Sequence, residues 1–308
     1  MRVSEQEWKE ALAGMYQGHI GFDIPMSEHT SLGIGGAADV FMTPDDPLSM
    51  RNLVALLGKR KMPYMTIGRG SNLLVLDGGI EGVVISVNTF SRVEVIRQAG
   101  DAVELFVEAG VPLQKLVNFC KDNGFAGMEG LTGIPGSVGG AICGNAGSYG
   151  YEIKDVVVSV AIMDAAGRLD RFKGEGLEFG YRQSGIQPTD IVLSANLKLR
   201  TDDKDAVAAR TEGFFREKKA AQPISLRSAG CVFKNPDGDF AGRLIDEAGC
   251  KGMRVGDIEV SSMHANFFVN AGTGSAADYT ALMEKVAMTV QQRFGITLEP
   301  EIRLAGRA

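Results

Sequence analysis

The sequence predicts an α+β protein with more than one domain, and three observations predict it. Amphipathic helical stretches and short strand-like runs are mixed along the chain. Two glycine-rich segments, one around residues 68–72 and one over Gly130–Gly150, interrupt them. Near Arg200 the composition becomes more charged, and beyond it the chain carries a second, separate mixture of helices and strands. At 308 residues there is room for two or three domains.

Taken in order, Glu5–Tyr16 has Trp8, Leu12 and Met15 on one helical face. Thr30–Val40 (TSLGIGGAADV) comes close to a dinucleotide fingerprint. That motif needs a strand before it and a helix after it, whereas here SEHTS precedes it and the strand-like ADVFMTP follows. Asp46–Lys61 reads as a helix. Asp46 is its N-cap and Pro47 lies in its first turn; Met50, Leu53, Val54, Leu56 and Leu57 face the core, with basic residues at its end. Strands are expected at Tyr64–Ile67, Leu73–Leu76, Gly82–Val87 and Val103–Glu108. Pro112–Asn123 is a helix with Leu113, Leu116, Val117 and Cys120 inward, closed by Gly124. Strands follow at Val156–Met163, Arg168–Arg171 and Asp190–Leu199. Thr201–Lys219 is a charged linking helix, Phe240–Ala248 a helix closed by Gly249, and Ala265–Val269 a strand. Ser275–Phe294 is the clearest helix, and Ile296–Leu304 the final strand.

Composition excludes several classes of function. A hydrophobic share of 44% and a charged share of 23% describe an ordinary globular chain. A net charge of −6 without a basic stripe disfavours nucleic acid. Cys120, Cys143, Cys231 and Cys250 have no CxxC spacing, so zinc and thioredoxin-like readings are weak, no metal is expected, and reduced thiols in a cytosol are simpler. The N-terminal stretch MRVSEQEWKEALAG has no apolar core and is no signal peptide. Gly130–Gly150 is uncharged, but its eight glycines and Pro135 argue against a membrane span. The expected location is cytoplasmic.

The same glycines make a helix interior unstable and strand pairing weak. What remains is a buried loop whose backbone N–H groups can make a concave anion site, or a tight structural crossover. In the other segment, Gly68-Arg69-Gly70-Ser71-Asn72 lies between two strand-like runs and suits a pyrophosphate. It is not a P-loop, because no Gly-Lys-Ser/Thr follows and no helix opens.

IGRGSNLLV and GIPGSVGGAICGNAGSYG together resemble the UDP-N-acetylenolpyruvoylglucosamine reductases, a family of bacterial flavoenzymes of cell-wall synthesis. EFGYRQS (Glu178–Ser184), SAGCVFKNP (Ser228–Pro236) and LEPEIRLAG (Leu298–Gly306) extend the resemblance from about His29 to Ala305. It implies a two-subdomain FAD-binding region of the vanillyl-alcohol-oxidase/PCMH type plus a C-terminal α+β substrate-binding domain. The corresponding ranges are 1–200 (subdomains about 20–87 and 88–200), 201–298, and a C-terminal strand, 299–308, returning to the FAD region. The residues implied against FAD are Ile67, Gly68, Arg69, Gly70, Ser71 and Asn72, then Gly133, Ile134, Pro135, Gly136, Ser137, Gly139, Gly140, Asn145, Ala146 and Gly147. The short run after Leu199 leaves no space for the tyrosine loop that some members insert, so the chain resembles the subclass lacking it.

The resemblance also implies the chemistry. NADPH reduces FAD, and hydride then passes to the enolpyruvyl ether of UDP-N-acetylglucosamine. Charge develops next to a carboxylate, and preorganised donors and a proton source must meet it. Arg182 resembles the arginine facing that carboxylate, and its fork can hold one bidentately. Read from composition alone, it is a solvated arginine or one pairing with Glu178. Glu301 resembles the family glutamate of the same site; beside a carboxylate it would resist ionising and act as a donor, and otherwise it is an edge-strand surface charge. Cys231 stands where the family usually has a proton-donating serine. A thiol is more acidic and more oxidisable than a hydroxyl, and the plain alternative is a small buried residue. Lys234, Asn235 and His264 are placed near the sugar nucleotide. The expected partners are the UDP-sugar and NADPH, with no nucleic acid and no membrane insertion, and the expected state is a monomer. A different flavin oxidase or dehydrogenase on the same scaffold would not depend on Arg182, Cys231 and Glu301. A precursor-sensing module would have lost them.

Overall fold

The computed structural model describes residues 4–308, which form two compact units. One comprises residues 4–23, 39–69 and 82–216, the other 24–38, 70–81 and 217–308. This differs from the sequential ranges expected. Leu32, Ile34 and Leu74, from two early excursions of the chain, are buried in the core of the second unit. The change of unit after residue 200 falls inside the Lys204–Ala221 helix, between Arg216 and Glu217, and not at the charged turn before it.

The first unit contains two sheets on one core. In the first sheet the order is Gly18–Pro25, Ala37–Pro44, Ile80–Ser86, Tyr64–Ile67, and the last pair is parallel. The Pro47–Arg60 helix covers it with Met50, Leu53, Val54 and Leu57 buried, while Leu56 is only partly buried. Asp46 caps that helix by accepting the Leu48 and Ser49 N–H groups, at 2.8 and 2.9 Å, which holds its carboxyl below the usual range. The second sheet is antiparallel, in the order Leu169–Lys173, Val157–Met163, Ile191–Thr201, Ala102–Glu108, Val93–Ala99. Val103, Leu105, Val107, Val160, Ala195 and Leu197 point from it into the core. The Leu113–Asn123 helix packs Leu113, Leu116, Val117 and Cys120 there, and burial pushes the Cys120 thiol up to about 12.

Three expectations change here. The first helix stops at Leu12, where the chain turns through Gly14 at φ +70°, so Met15 is exposed. Val93–Ala99 is a strand that went unread, because six of its seven residues are exposed and no inward face patterns it. Tyr64–Ile67 and Leu73–Val75 flank the first glycine segment but do not pair with each other; each has its own parallel partner.

The second unit has an antiparallel sheet in the order Ser228–Cys231, Phe267–Asn270, Ile258–Val260, Arg254–Val255. The Ala276–Phe294 helix buries Tyr279, Leu282, Met283, Val286 and Val290 against the core. Its N-terminus is capped twice. Ser275 and Asp278 form a capping box, and Asp77 accepts the Ala276 and Ala277 N–H groups at 2.9 Å each. The final strand is shorter than expected. Only Arg303–Ala305 pairs, parallel to Leu73–Val75, and Pro300, which has no N–H, sits in an isolated bridge with Phe233. Among the described residues no helix is long and apolar enough to cross a membrane.

Candidate active site

In the first unit the Gly130–Gly150 segment is not all loop. Val138–Cys143 is a short helix despite Gly139 and Gly140, because tertiary contacts hold it. Ser137 caps it, its Oγ accepting the Gly140 N–H at 3.3 Å. The Val138 and Gly139 N–H groups donate to Val111 O and Ala109 O at 2.9 and 2.8 Å. A Cβ on Gly139 would lie 2.9 Å from Ala109 Cβ, so only glycine permits this approach. Gln114 Oε1 accepts the Gly133 N–H at 2.5 Å.

The two glycine segments meet. A Cβ on Gly68 would lie 2.2 Å from Ser137 Oγ. Among the described residues, the N–H groups of Gly68, Arg69, Gly136 and Ser137 make no hydrogen bond. Amide donors left open in two glycine-containing turns fit the pyrophosphate of a dinucleotide such as FAD. Ile67 is buried, Arg69 exposed, and Ile134, Ala146 and Gly147 half-buried.

The turn Glu178–Ser184 carries Arg182 in this same unit. Glu178 and Arg182 are both left-handed, at φ +45° and +57°, an uncommon state for residues with a Cβ. Gly180 and Gln183 exchange backbone hydrogen bonds of 3.1 and 3.4 Å across the turn. The Arg182 guanidinium lies 5.6 Å from the Tyr181 ring centroid, and its Nη1 donates to Gly147 O at 3.4 Å. Among the described residues Glu178 makes no ion pair with it. Asn145, expected at the cofactor, is buried, and its Nδ2 donates to Gly180 O at 3.0 Å. Ser184 Oγ donates to Cys143 O at 2.9 Å.

In the second unit a backbone hydrogen bond sets the Glu301 segment beside the end of the strand that carries Cys231. Cys231 pairs with Phe267 across the sheet, and the next residue, Val232, accepts the Glu301 N–H at 2.8 Å. Both Cys231 and Glu301 are half-buried. Two asparagines fix this arrangement. Asn266 Oδ1 accepts the Phe233 N–H at 3.0 Å while its Nδ2 donates to Phe233 O at 2.7 Å. Asn72 Nδ2 donates to Glu301 O at 3.1 Å, and Asn72 O accepts the Arg303 N–H at 3.1 Å. In the same unit Gly70 O accepts the Ser31 N–H at 3.2 Å.

The residues expected near the sugar nucleotide fare unequally. Lys234 Nζ is 3.3 Å from Glu299, in a pair open to solvent and therefore worth little to stability. Asn235 Oδ1 accepts the Ala241 N–H at 3.0 Å, at the start of the Ala241–Glu247 helix. His264 lies edge-on to Phe267, and burial holds its pKa below the ordinary value. Its Nδ1 accepts the Asn266 N–H at 3.3 Å, so the neutral ring carries its proton on Nε2. Asn266, Gln114 and Ser184 went unread as site residues. The one available signal was a polar side chain inside a buried apolar run, and it marks only Asn266.

Open amides in paired glycine segments define a protein that binds a dinucleotide cofactor, and residues 38–173 match the family described as FAD binding domain. Residues 222–305 match the C-terminal domain of UDP-N-acetylenolpyruvoylglucosamine reductase. The Geobacter metallireducens reductase of that name is 43% identical over 94% of this chain and 95% of its own length. For the Geotalea uraniireducens reductase the figures are 40%, 96% and 97%. A solved reductase from Thermus caldophilus superposes with a TM-score of 0.81 at 36% identity, covering 94% of this chain and 100% of its own. The chain belongs to the UDP-N-acetylenolpyruvoylglucosamine reductase family. It is an FAD-dependent oxidoreductase, with the mixed FAD-binding and substrate-domain fold class expected from its sequence.

One consequence concerns Gly68. An added methyl at position 68 overlaps Ser137 Oγ, so either the hydroxyl turns and gives up its capping bond to the Gly140 N–H or one glycine segment shifts. Overpacking of this kind costs about 1–3 kcal/mol. Gly68→Ala is therefore expected to raise the Kd for FAD about 5–100-fold, read by flavin fluorescence titration of the apoprotein. An unchanged Kd would contradict the assignment of this turn to the cofactor.

Proposed function

We propose that this protein reduces the enolpyruvyl ether of UDP-N-acetylglucosamine to UDP-N-acetylmuramate in peptidoglycan-precursor synthesis, with NADPH as reductant and in the cytoplasm. The observation that supports the reading is the backbone hydrogen bond from the Glu301 N–H to Val232 O, which runs the segment of the candidate carboxyl group alongside the strand of the candidate proton donor. The family's reaction needs both. The unit holding the Gly130–Gly150 segment serves the cofactor, and the unit holding Cys231 serves the sugar nucleotide.

FAD, when bound and reduced by NADPH, supplies the hydride that adds to the terminal alkene carbon. Arg182 grips the substrate carboxylate through its guanidinium fork and stabilises the charge that develops on the adjacent carbon. Glu301, carrying a proton beside that carboxylate, donates to the same developing enolate. Cys231 Sγ–H gives its proton to the carbon, which completes reduction of the double bond, and the thiolate is reprotonated from solvent. His264 offers Nε2–H to the nucleotide as a neutral donor. Lys234 and Asn235 serve the sugar nucleotide as well; the Lys234–Glu299 pair is open to solvent and easily exchanged, and Asn235 Oδ1 holds the Ala241 N–H. A single-turnover experiment tests the reading: protein reduced with NADPH under anaerobic conditions is mixed with the enolpyruvyl sugar nucleotide, and flavin reoxidation is followed.

A further inference from the structure

Three hydrogen bonds tie alternate residues of the glycine segment to alternate residues of the arginine turn. Cys143 O accepts from Ser184 Oγ at 2.9 Å, Asn145 Nδ2 donates to Gly180 O at 3.0 Å, and Gly147 O accepts from Arg182 Nη1 at 3.4 Å. The turn they hold is not one the chain adopts readily. Glu178 and Arg182 are left-handed, and states of this kind are strained and persist only where surroundings over-determine them. Asn145 is the interior member of the three. Only 1% of it is exposed, and both ends of its amide are used, Nδ2 on Gly180 O and Oδ1 on the Lys154 N–H at 3.3 Å. Its own φ of +40° is one that asparagine tolerates.

We propose that Asn145 is a positioning residue for Arg182: its amide holds the Gly180 carbonyl and thereby sets the left-handed turn that aims the guanidinium at the substrate carboxylate. This rests on the reading of Arg182 as the carboxylate-binding group. It gives Asn145 a task separate from cofactor contact. Its effect is expected in the step in which substrate is reduced, because the carboxylate assigned to Arg182 belongs to the sugar nucleotide and not to NADPH. Misplacing an orienting group by about 1 Å can cost about 10²-fold in rate.

Asn145→Asp replaces the donor by an oxygen and brings a carboxyl group into a buried place. It keeps an oxygen for the Lys154 N–H and tolerates the left-handed backbone, but it turns an oxygen toward Gly180 O. In the holoenzyme this variant is expected to slow flavin reoxidation by substrate about 10²-fold. On flavin-loaded protein the rate of reduction by NADPH is expected to change less than about twofold. Added to Arg182→Ala, the same substitution is expected to cost less than about twofold, since the group it positions is gone. Equal losses in both backgrounds, or equal slowing of the NADPH step, overturn the proposal. If Asn145→Asp sheds its flavin, Ser184→Ala decides. A slowed reoxidation that disappears in the Arg182→Ala background supports the coupling, and an unchanged rate overturns it. Should Arg182→Ala leave reoxidation unaffected, the reading of Arg182 falls and this inference with it. Should Arg182→Ala slow the step while Asn145→Asp does not, this inference alone fails.

Discussion

Replacing Cys231 by alanine is expected to slow flavin reoxidation by the enolpyruvyl substrate about 10²–10⁴-fold, the range typical of a lost general acid. Reduction of the flavin by NADPH is expected to be unchanged, because the proton is needed only after hydride reaches the substrate. The backbone around the substitution is held from outside the side chain. Cys231 is half-buried, its strand is held by backbone pairing to Phe267, and the next two residues are fixed by Asn266 and Glu301. Cys231→Ser restores a proton on the same atom position and is expected to recover most of the rate. It is also expected to resist inactivation by peroxide, which a thiol does not. Stopped-flow measurement of the two half-reactions on the three proteins separates these outcomes. An alanine variant as fast as wild type would reduce Cys231 to a packing residue.

Arg182→Ala is the second large effect. A preorganised charge aimed at a developing anion is worth about 10²–10³ in rate, and the loss is expected in the same half-reaction. Since the guanidinium also holds the carboxylate of the bound substrate, KM is expected to rise as well. Arg182→Lys keeps the charge but loses the planar fork, so it is expected to recover only part of either parameter. The pair of parameters, measured with saturating NADPH, distinguishes this role from a structural one. A solvated arginine of the kind its composition alone suggests would leave both unchanged.

Those two side chains were legible in the sequence because they sit in short motifs whose residue types carry chemistry. Their supports were not. Asn72 and Asn145 stand in the glycine segments and read as cofactor donors, yet their amides go to Glu301 O and Gly180 O, partners 229 and 35 positions away. No local pattern announces a hydrogen bond of that span. Amphipathic helices such as Pro47–Arg60 and Ala276–Phe294 were readable from spacing and caps, because one face of each is buried in a fixed rhythm. Val93–Ala99 has no buried rhythm at all, and Val138–Cys143 is held by Ala109, Val111 and Ser137 against the low helix propensity of its glycines. The unit boundaries followed the same rule. Leu32, Ile34 and Leu74 lie early in the chain, but the core they fill is completed by residues beyond 228.

The most direct test of the account is a single anaerobic turnover. Wild-type protein carrying FAD is reduced with one equivalent of NADPH, the oxidised nucleotide is removed, and the enolpyruvyl sugar nucleotide is added. The account predicts rapid return of the oxidised flavin spectrum with formation of one equivalent of UDP-N-acetylmuramate. A flavin that binds and is reduced but stays reduced in the presence of this substrate would contradict it, and would assign the same FAD-binding scaffold to a different acceptor.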